Sequence, residues 1–239
     1  MEEKKIVVIQ KIQKWYRGCR VRLKRLPLIM YALQNYLQRE GLDVSFENED
    51  GRINSCLDEE KIITLLVQKF GGKIKKPQKR MWYDILAFDS MYGWIPINIK
   101  TTTTKTNDNT GNLAMCVYAY TNEILDLHIM DKMEYKNGSM SAVLFHKLKN
   151  KEYNTRPKKD YYFLVLNKTD PSDVIVNSVK GLTVLNTNIH NLPFQVCWDK
   201  NRLFYYEHVN KKIKRFIHCL QKPTKPSWTE TFMSNIKTL

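Results

Sequence analysis

Two side chains in neighbouring apolar segments of this 239-residue chain could act together on a phosphate ester. Asp84 stands in Trp82-Tyr83-Asp84, and Lys100 follows Pro96-Ile97-Asn98-Ile99. A carboxylate among apolar neighbours is costly to bury without a cation or hydrogen bonds, which favours Asp84 as a metal ligand over a purely structural Asp. Mg²⁺ prefers oxygen ligands and keeps several of its waters. Lys100 could hold or activate one of those waters, the alternative being a solvated lysine at a strand end.

Two strands would have to bring these side chains to one place. Residues 81–88 and 94–100 are rich in apolar and aromatic types and are predicted to form core strands. The stretch 89–93, which ends in glycine, predicts a hairpin between them. Strands of a hairpin lie side by side, so Asp84 and Lys100 can approach one another.

A helix is predicted upstream, running to about Phe70 with Ser55 or Asp58 as its cap. Its apolar residues recur at three- and four-residue steps, at Ile62, Ile63, Leu66, Val67 and Phe70. Glu59 falls on the same face and would lean toward the interior as an extra acid, and Glu60 is the neighbouring candidate. For either one, the alternative is an ordinary acid near a helix N-terminus, favoured by the helix dipole.

The order of these features resembles a known family. Four features follow one another along the chain: a helix end, a basic loop with proline at residues 69–80, a strand with Asp84, and a strand running into Lys-Thr-Thr at 100–102. The region from about Glu59 to Asn109 thereby resembles the catalytic segment of PD-(D/E)XK restriction endonucleases. The EcoRV kind is most similar, since its second motif also runs into a Thr pair and a polar, Asn-rich stretch. The resemblance covers about a fifth of the 239 residues.

The resemblance implies a fold, a cofactor and a set of roles. The fold would be α/β, with a restriction-endonuclease-like mixed central sheet flanked by helices and an N-terminal helical extension. The cofactor would be Mg²⁺, bound by Asp84, Asn98 and the carbonyl of Ile99, while Lys100 positions the attacking water. The activity would be hydrolysis of double-stranded DNA, and symmetric cleavage of both strands would call for a homodimer.

Asn98 departs from the family pattern, which has an acid two residues before the lysine. An amide oxygen can ligate a metal, but a neutral ligand gives up one Coulombic contribution to metal affinity. Three explanations stay open: an active enzyme with a weakened or relocated ligand, a catalytically inactive DNA-binding or adaptor protein on the same fold, and a substitution made to trap a complex. An RNA-processing nuclease is a further alternative, which charge does not exclude.

Positive charge indicates a polyanionic partner. The chain has 39 Lys and Arg against 24 Asp and Glu, a net charge of +15, which favours nucleic acid over a membrane surface. The charge clusters in residues 1–40, 73–80 and 200–222, although solvated surfaces can look alike. The residues predicted to contact DNA are Lys75, Lys76, Lys79, Arg80, Thr101, Thr102, Asn107, Asn188, Asn191 and Gln195. For the asparagines of 186–191, turn chemistry is the alternative.

The N-terminal segment carries a second motif. Residues 4–25 are predicted to form a basic amphipathic helix. Within residues 12–22, five positions resemble the IQ motif, which binds calmodulin and related light chains: Ile12, Gln13, Arg17, Gly18 and Arg22. An EF-hand partner could take the apolar stripe in its groove, or the stripe could pack on the protein's own core. Residues 1–40 are accordingly assigned to a basic helical extension, 41–222 to the nuclease-like domain and 223–239 to a tail.

The cysteines, the apolar runs and the C-terminal half of the chain give further predictions. Five scattered cysteines without a CxxC pair suit a reducing compartment. No apolar run approaches the ~18 residues of a membrane span, so a soluble intracellular protein with no membrane partner is expected. Later strands are predicted at 161–168, 174–176 and 194–198, and a basic helix at 204–221. Residues 101–111 are predicted as a polar loop beside the DNA backbone.

Overall fold

The computed structural model describes residues 25–42, 51–77, 81–110, 113–125, 127, 140–188 and 193–220, and for residues 51–56 the backbone only. Several predictions fall on residues outside this part of the chain. They are the IQ-like segment 12–22, the DNA contacts at Lys79, Arg80 and Asn191, and the tail 223–239.

Five α-helices are described. In chain order they are α1 (Leu28–Glu40), α2 (Gly51–Phe70), α3 (Leu113–Tyr120), α4 (Met140–Lys149) and α5 (Val209–Leu220), with 3₁₀ turns at Gly71–Lys73 and Trp198–Asn201. Helix α1 follows Pro27 and ends at Gly41, whose φ of 58° is the left-handed conformation that glycine adopts without a steric penalty. Helix α2 starts before Ser55 and Asp58, so the predicted cap at either residue is wrong.

Seven strands are described. They are β1 (Ile74–Lys75), β2 (Ile85–Asp89), β3 (Gly93–Thr102), β4 (Asn107–Asn109), β5 (Tyr162–Asn167), β6 (Asp170–Ser178) and β7 (Gln195–Cys197). Five of them form one mixed sheet in the order β1-β2-β3-β5-β6, in which only β3 and β5 are parallel neighbours. The chain between these two carries β4, α3 and α4, which supplies the long crossover that a parallel pair requires. Strands β4 and β7 pair in a separate two-stranded sheet.

The predicted hairpin of β2 and β3 is confirmed, and Asp89 holds its turn. The Oδ1 of Asp89 accepts hydrogen bonds from the backbone N–H of Met91 at 2.8 Å and of Tyr92 at 3.1 Å. Its Oδ2 accepts a bond from the N–H of Ile29 at 3.2 Å, in the first turn of α1. One buried carboxylate therefore joins the hairpin to the N-terminus of a helix.

Helices cover both faces of the sheet. Helices α1 and α2 pack on one face through residues such as Met30 and Leu66, and α3, α4 and α5 pack on the other through residues such as Met115 and Phe216. The predicted class, a mixed sheet flanked by helices, is therefore confirmed at this general level. Because α1 lies in this core, the described end of the predicted extension packs on the sheet. None of the helices in the described ranges is long and apolar enough to cross a lipid bilayer.

Two of the later elements differ from the predictions. The predicted loop at 101–111 carries the end of β3 and all of β4, and the strand predicted at 194–198 is the short β7 paired with it. This pairing joins residues about 90 positions apart, which a local pattern cannot indicate.

The C-terminal helix begins at Val209 and not near residue 204. The backbone before it is hydrogen-bonded to a side chain of β6. The Nδ2 of Asn177 donates to the carbonyls of Asn201 at 2.6 Å and Leu203 at 3.4 Å. These bonds hold the segment in an irregular conformation.

Candidate active site

Asp84 lies immediately before β2, next to the part of β3 with which β2 does not pair. Its backbone N–H donates to the carbonyl of Ile97 at 3.0 Å, which fixes its position along the neighbouring strand. Its Oδ2 accepts hydrogen bonds from the backbone N–H of Ile99 at 2.7 Å and from the Nδ2 of Asn98 at 2.6 Å. The hairpin therefore holds one carboxylate oxygen of Asp84 against the middle of β3.

Glu59 reaches the same place from α2. Its carboxyl group is hydrogen-bonded to that of Asp84, and burial together with the charge of Asp84 raises the pKa of Glu59 to about 7. Burial also raises the pKa of Asp84, against the opposing effects of the Ile99 N–H and the Lys100 ammonium. Two carboxyl groups at hydrogen-bonding distance cannot both be ionised without cost, so the pair requires a shared proton or a cation.

Lys100 lies two residues after Asn98 on β3 and therefore shares its face of the strand. Its positive charge lowers the pKa of both Glu59 and Asp84. Lys100 therefore lies close enough to both carboxyl groups to act on their ionisation, and Glu59 is the second acid beside it.

The amide of Asn98 is fixed in one orientation by its neighbours. Its Nδ2 faces Asp84, while its Oδ1 is buried and has no hydrogen-bond partner among the described residues. The amide also lies beside the buried phenol of Tyr161. Burial raises the pKa of this phenol well above its usual value, and the hydrogen bond with Asn98 offsets a part of that rise. The hydroxyl of Tyr161 donates to the carbonyl of Trp82 at 2.9 Å.

Tyr161 is the neighbour that the sequence did not indicate. It precedes β5, and the parallel pairing of β5 with β3 brings it to Asn98. Residues 98 and 161 are far apart in the chain, and a tyrosine at the start of an apolar strand is typical of a core residue. No signal in the sequence could have identified this contact.

The backbone of Ile99 also faces the site. Its N–H points at Asp84, and in an extended strand the N–H and C=O of one residue point to the same side. Strand β2 starts at Ile85, which pairs with Ile97, so β2 does not extend to this position. The carbonyl of Ile99 is therefore directed toward the edge that Asp84 occupies.

The oxygen atoms gathered here fit a hard cation. In the described ranges no group of three His, Cys, Asp or Glu side chains could hold a metal ion, and this site has two acids, Glu59 and Asp84. The unpartnered Oδ1 of Asn98 and the carbonyl of Ile99 supply further oxygen donors of the kind that Mg²⁺ accepts. A divalent cation would offset the repulsion between the ionised carboxylates of Glu59 and Asp84. An isolated Asp would have no such repulsion to offset.

Glu60, the alternative to Glu59, turns away from the site. It is exposed and forms an ion pair with Lys76, which is exposed as well. Lys75 lies on β1 with its ammonium 4.2 Å from the ring centre of Trp94. Both lysines are on the surface, and both are engaged by a neighbour.

The other predicted DNA contacts lie near the end of β3 and on the two-stranded sheet. Thr102, Asn107 and Gln195 are partly or fully exposed. Thr101 and Asn188 are 8% and 6% exposed, so neither side chain lies on the surface where the sequence-based prediction placed it. The Nδ2 of Asn188 instead donates a 2.9 Å hydrogen bond to the Oδ1 of the exposed Asn109.

Comparisons of the chain with protein-family models, with curated proteins and with solved structures found no match.

Proposed function

We propose that this protein is a Mg²⁺-dependent endonuclease that hydrolyses phosphodiesters of duplex DNA, built on a restriction-endonuclease-like fold. The observation that carries the proposal is the meeting of Glu59, Asp84 and Lys100 at one edge of β3. Two opposed carboxyl groups beside an ammonium form a site for a cation and a water. The net charge of +15 supports a polyanionic substrate.

Each residue has a role in this proposal. Glu59 and Asp84 would bind the cation, together with the oxygens of Asn98 and Ile99. When bound, the cation would polarise the phosphoryl oxygen and stabilise the leaving group. Lys100 would orient the attacking water by hydrogen bonding. The N–H of Ile99 and the amide of Asn98 keep the Asp84 carboxylate in place.

The test is cleavage of supercoiled plasmid by the full chain with Mg²⁺, with Mn²⁺ and with EDTA. We expect cleavage only with metal, and a loss of at least ~10²-fold in rate for Asp84→Ala and for Lys100→Ala. Exposed residues of the same types, Asp170→Ala and Lys158→Ala, serve as controls and should cleave at the parent rate. Equal cleavage by Asp84→Ala and by the parent would place the chemistry elsewhere.

A second candidate is a DNA-binding protein without catalysis on the same fold. The amide nitrogen of Asn98 donates to Asp84, so a neutral donor stands where the resembled family has an acid. DNA binding with no cleavage under any metal condition would favour this candidate. Cleavage of RNA and not DNA would favour the RNA-processing alternative.

Two partners also remain proposals. A homodimer would place two sites on the two strands of a duplex, and an EF-hand protein of the calmodulin kind would bind residues 12–22. Sedimentation in the presence of a short duplex tests the first, and titration of the full chain with calmodulin and Ca²⁺ tests the second.

A further inference from the structure

The two-stranded sheet of β4 and β7 carries amide side chains on one face. Asn109 lies directly opposite Gln195, and opposed residues share a face of a sheet. Asn107 is two residues before Asn109 and faces the same way. Asp108 points to the other face, where its carboxylate accepts a 3.0 Å hydrogen bond from the indole N–H of Trp198. The exposed face is therefore neutral and rich in amides.

Hydrogen bonds between amides fix their orientation. Two further amides join the face from residues 186–188, through the bridge that pairs residue 186 with residue 195. The Nδ2 of Asn186 donates to the Oδ1 of Asn107 at 2.7 Å. The Oδ1 of Asn109 accepts from the buried Asn188 at 2.9 Å and from the Nε2 of Gln195 at 3.0 Å.

This network leaves defined groups free to meet a ligand. Within this network, the amide nitrogens of Asn107 and Asn109 and the amide oxygens of Asn186 and Gln195 have no hydrogen-bond partner among the described residues. Donors and acceptors thus stand side by side on an exposed surface in fixed positions. Exposed bonds between amides contribute little net stability, so folding alone does not explain five amides on one face.

We propose that this amide face reads adenine in the major groove of the duplex that the candidate active site cuts, an inference that rests on the proposed function. Adenine presents an acceptor at N7 beside a donor at N6, and the free Nδ2 of Asn109 and the free amide oxygen of Gln195, on directly opposed residues, offer the matching donor and acceptor. The major groove of B-form DNA admits a two-stranded β-ribbon. The major groove of A-form RNA is too narrow for side chains to read, so the face selects DNA.

The position of the face relative to the site suits this role. Strand β3 runs from Lys100 into the turn at 103–106 and then into β4. Lys100 and Asn107 are seven positions apart in the chain, which is at most ~23 Å of extended chain and about seven steps of 3.4 Å along a DNA strand. A base contact and a cut phosphate within one recognition site are compatible with that spacing.

Two exposed lysines lie at the end of the ribbon that is nearest to β3. Lys105 precedes β4 and Lys200 follows β7, and the backbone bond from Asp199 N–H to the carbonyl of Thr104, 3.0 Å long, joins the two segments. Lysines at this place would contact phosphates and fix the orientation of the ribbon in the groove.

The experiment determines which bases the protein selects and whether the amides select them. A randomised duplex pool is incubated with the full chain and Mg²⁺, and the cleaved ends are sequenced. We expect adenine at one or more fixed positions. Replacing it by 7-deazaadenine, which lacks N7, should lower kcat/KM by about 5–150-fold.

Variants connect that preference to the face. Asn109→Ala and Gln195→Ala should lower kcat/KM on the adenine site by a similar factor and show little further loss with 7-deazaadenine. Gln195→Glu keeps an acceptor oxygen at nearly the same size but removes the Nε2 donor that orients Asn109, so it should weaken the adenine preference as well. Thermal melts of all variants confirm folding. Asn35→Ala, at an exposed asparagine of α1, is the matched control and should keep both the rate and the sensitivity to 7-deazaadenine.

The outcomes separate the two proposals. Cleavage without a base preference, with a preference that lacks adenine, or with a preference that both alanine variants retain would overturn the amide-face proposal and leave the nuclease proposal intact. Adenine selected in a bound but uncut pool would support the amide face and remove the nuclease. Absence of any binding to duplex DNA would overturn both.

Discussion

At the scale of single residues, the site is defined by two carboxyl groups that face one another. Burial and the charge of Asp84 raise the pKa of Glu59 to about 7, so near neutral pH this pair holds a proton that ordinary carboxyl groups would have released. A divalent cation would take the place of that proton, since metal ligands must be deprotonated. Metal affinity should therefore increase as the pH rises through about 7.

The same pKa predicts how stability without metal depends on pH. The ordinary pKa of the Glu59 carboxyl is 4.5, so between pH 4.5 and about 7 the folded state keeps a proton that the unfolded state has lost. Stability should fall with rising pH across that window and level off above it. At ~1.4 kcal/mol for each pKa unit the fall would be about 3.5 kcal/mol, and solvent screening of the partly exposed Glu59 lowers the expected value to roughly 2–3 kcal/mol. Urea unfolding in EDTA at a series of pH values measures this fall.

Glu59→Gln should flatten that part of the profile. Glu60→Gln, which changes the exposed neighbour paired with Lys76, is the control and should retain the slope. An unchanged slope in Glu59→Gln would mean that Glu59 does not hold the proton.

A second residue-scale prediction concerns Asn98→Asp. The change removes the Nδ2 donor that lies 2.6 Å from Asp84 and sets a third carboxylate beside the pair. In EDTA at neutral pH we expect a loss of about 1–4 kcal/mol from like-charge repulsion at an effective dielectric near 20. Excess Mg²⁺ should restore the loss by binding the folded state, and cleavage should increase. Equal metal-induced shifts in melting temperature for variant and parent would place residue 98 outside the metal shell.

At the scale of elements, the site depends on the hairpin of β2 and β3 being held in register. Asp84 and Asn98 meet because the hairpin turn sets their offset, and Asp89 fastens that turn and the start of α1 at the same time. Helix α2 then brings Glu59 to the pair. An error of one residue in the register would turn Asn98 and Lys100 to the opposite face.

Asp89→Ala should therefore destabilise the fold as a whole. It leaves three backbone N–H groups without their acceptor, two in the turn and one in α1, and the expected loss is roughly 2–4 kcal/mol. Asp170→Ala is a matched control, because the carboxylate of the exposed Asp170 accepts hydrogen bonds from Ser172, two residues along the same strand, and it should lose less than about 1 kcal/mol. Denaturant unfolding of both variants measures the difference, and similar losses would contradict the long-range role of Asp89.

Local patterns predicted the elements near the site and failed for the contacts across the fold. The apolar and aromatic segments around Asp84 and before Lys100 predicted two strands and a hairpin, and helical spacing predicted Glu59 on the inner face of α2. The contact of Asn98 with Tyr161 and the pairing of β4 with β7 depend on topology, since they join residues far apart in the sequence. Hydrophobic periodicity carries no information about which distant strands become neighbours.

At the scale of the whole molecule, the net charge of +15 should dominate affinity for DNA. The exposed lysines differ in how available their ammonium groups are for contact with phosphate. Lys76 is paired with Glu60, whereas Lys105 and Lys200 lie at the end of the β4–β7 ribbon where Asp199 is bonded to Thr104. If DNA is the partner, the net charge would supply attraction, and the placement of the lysines would decide which of them contact phosphate.

The salt dependence of binding tests this view. The logarithm of the binding constant should fall with the logarithm of salt concentration, with a slope of about −0.9 for each phosphate neutralised. Lys105→Ala and Lys200→Ala should each reduce the steepness by about one, while Lys76→Ala should change it little. Fluorescence anisotropy with a short duplex gives the slopes, and a flat dependence in the parent would remove nucleic acid as the partner.

The central claim is that Glu59 and Asp84 together bind a divalent cation, and calorimetric titration with Mg²⁺ and Mn²⁺ tests it most directly. The full chain should bind metal at pH 8 with measurable heat and bind it more weakly at pH 6, where the Glu59 carboxyl keeps its proton. The near-isosteric variants Glu59→Gln and Asp84→Asn should lose this binding, and Asp170→Asn should retain it. Metal binding that is unchanged in Asp84→Asn, or absent from the parent at pH 8, would contradict the account.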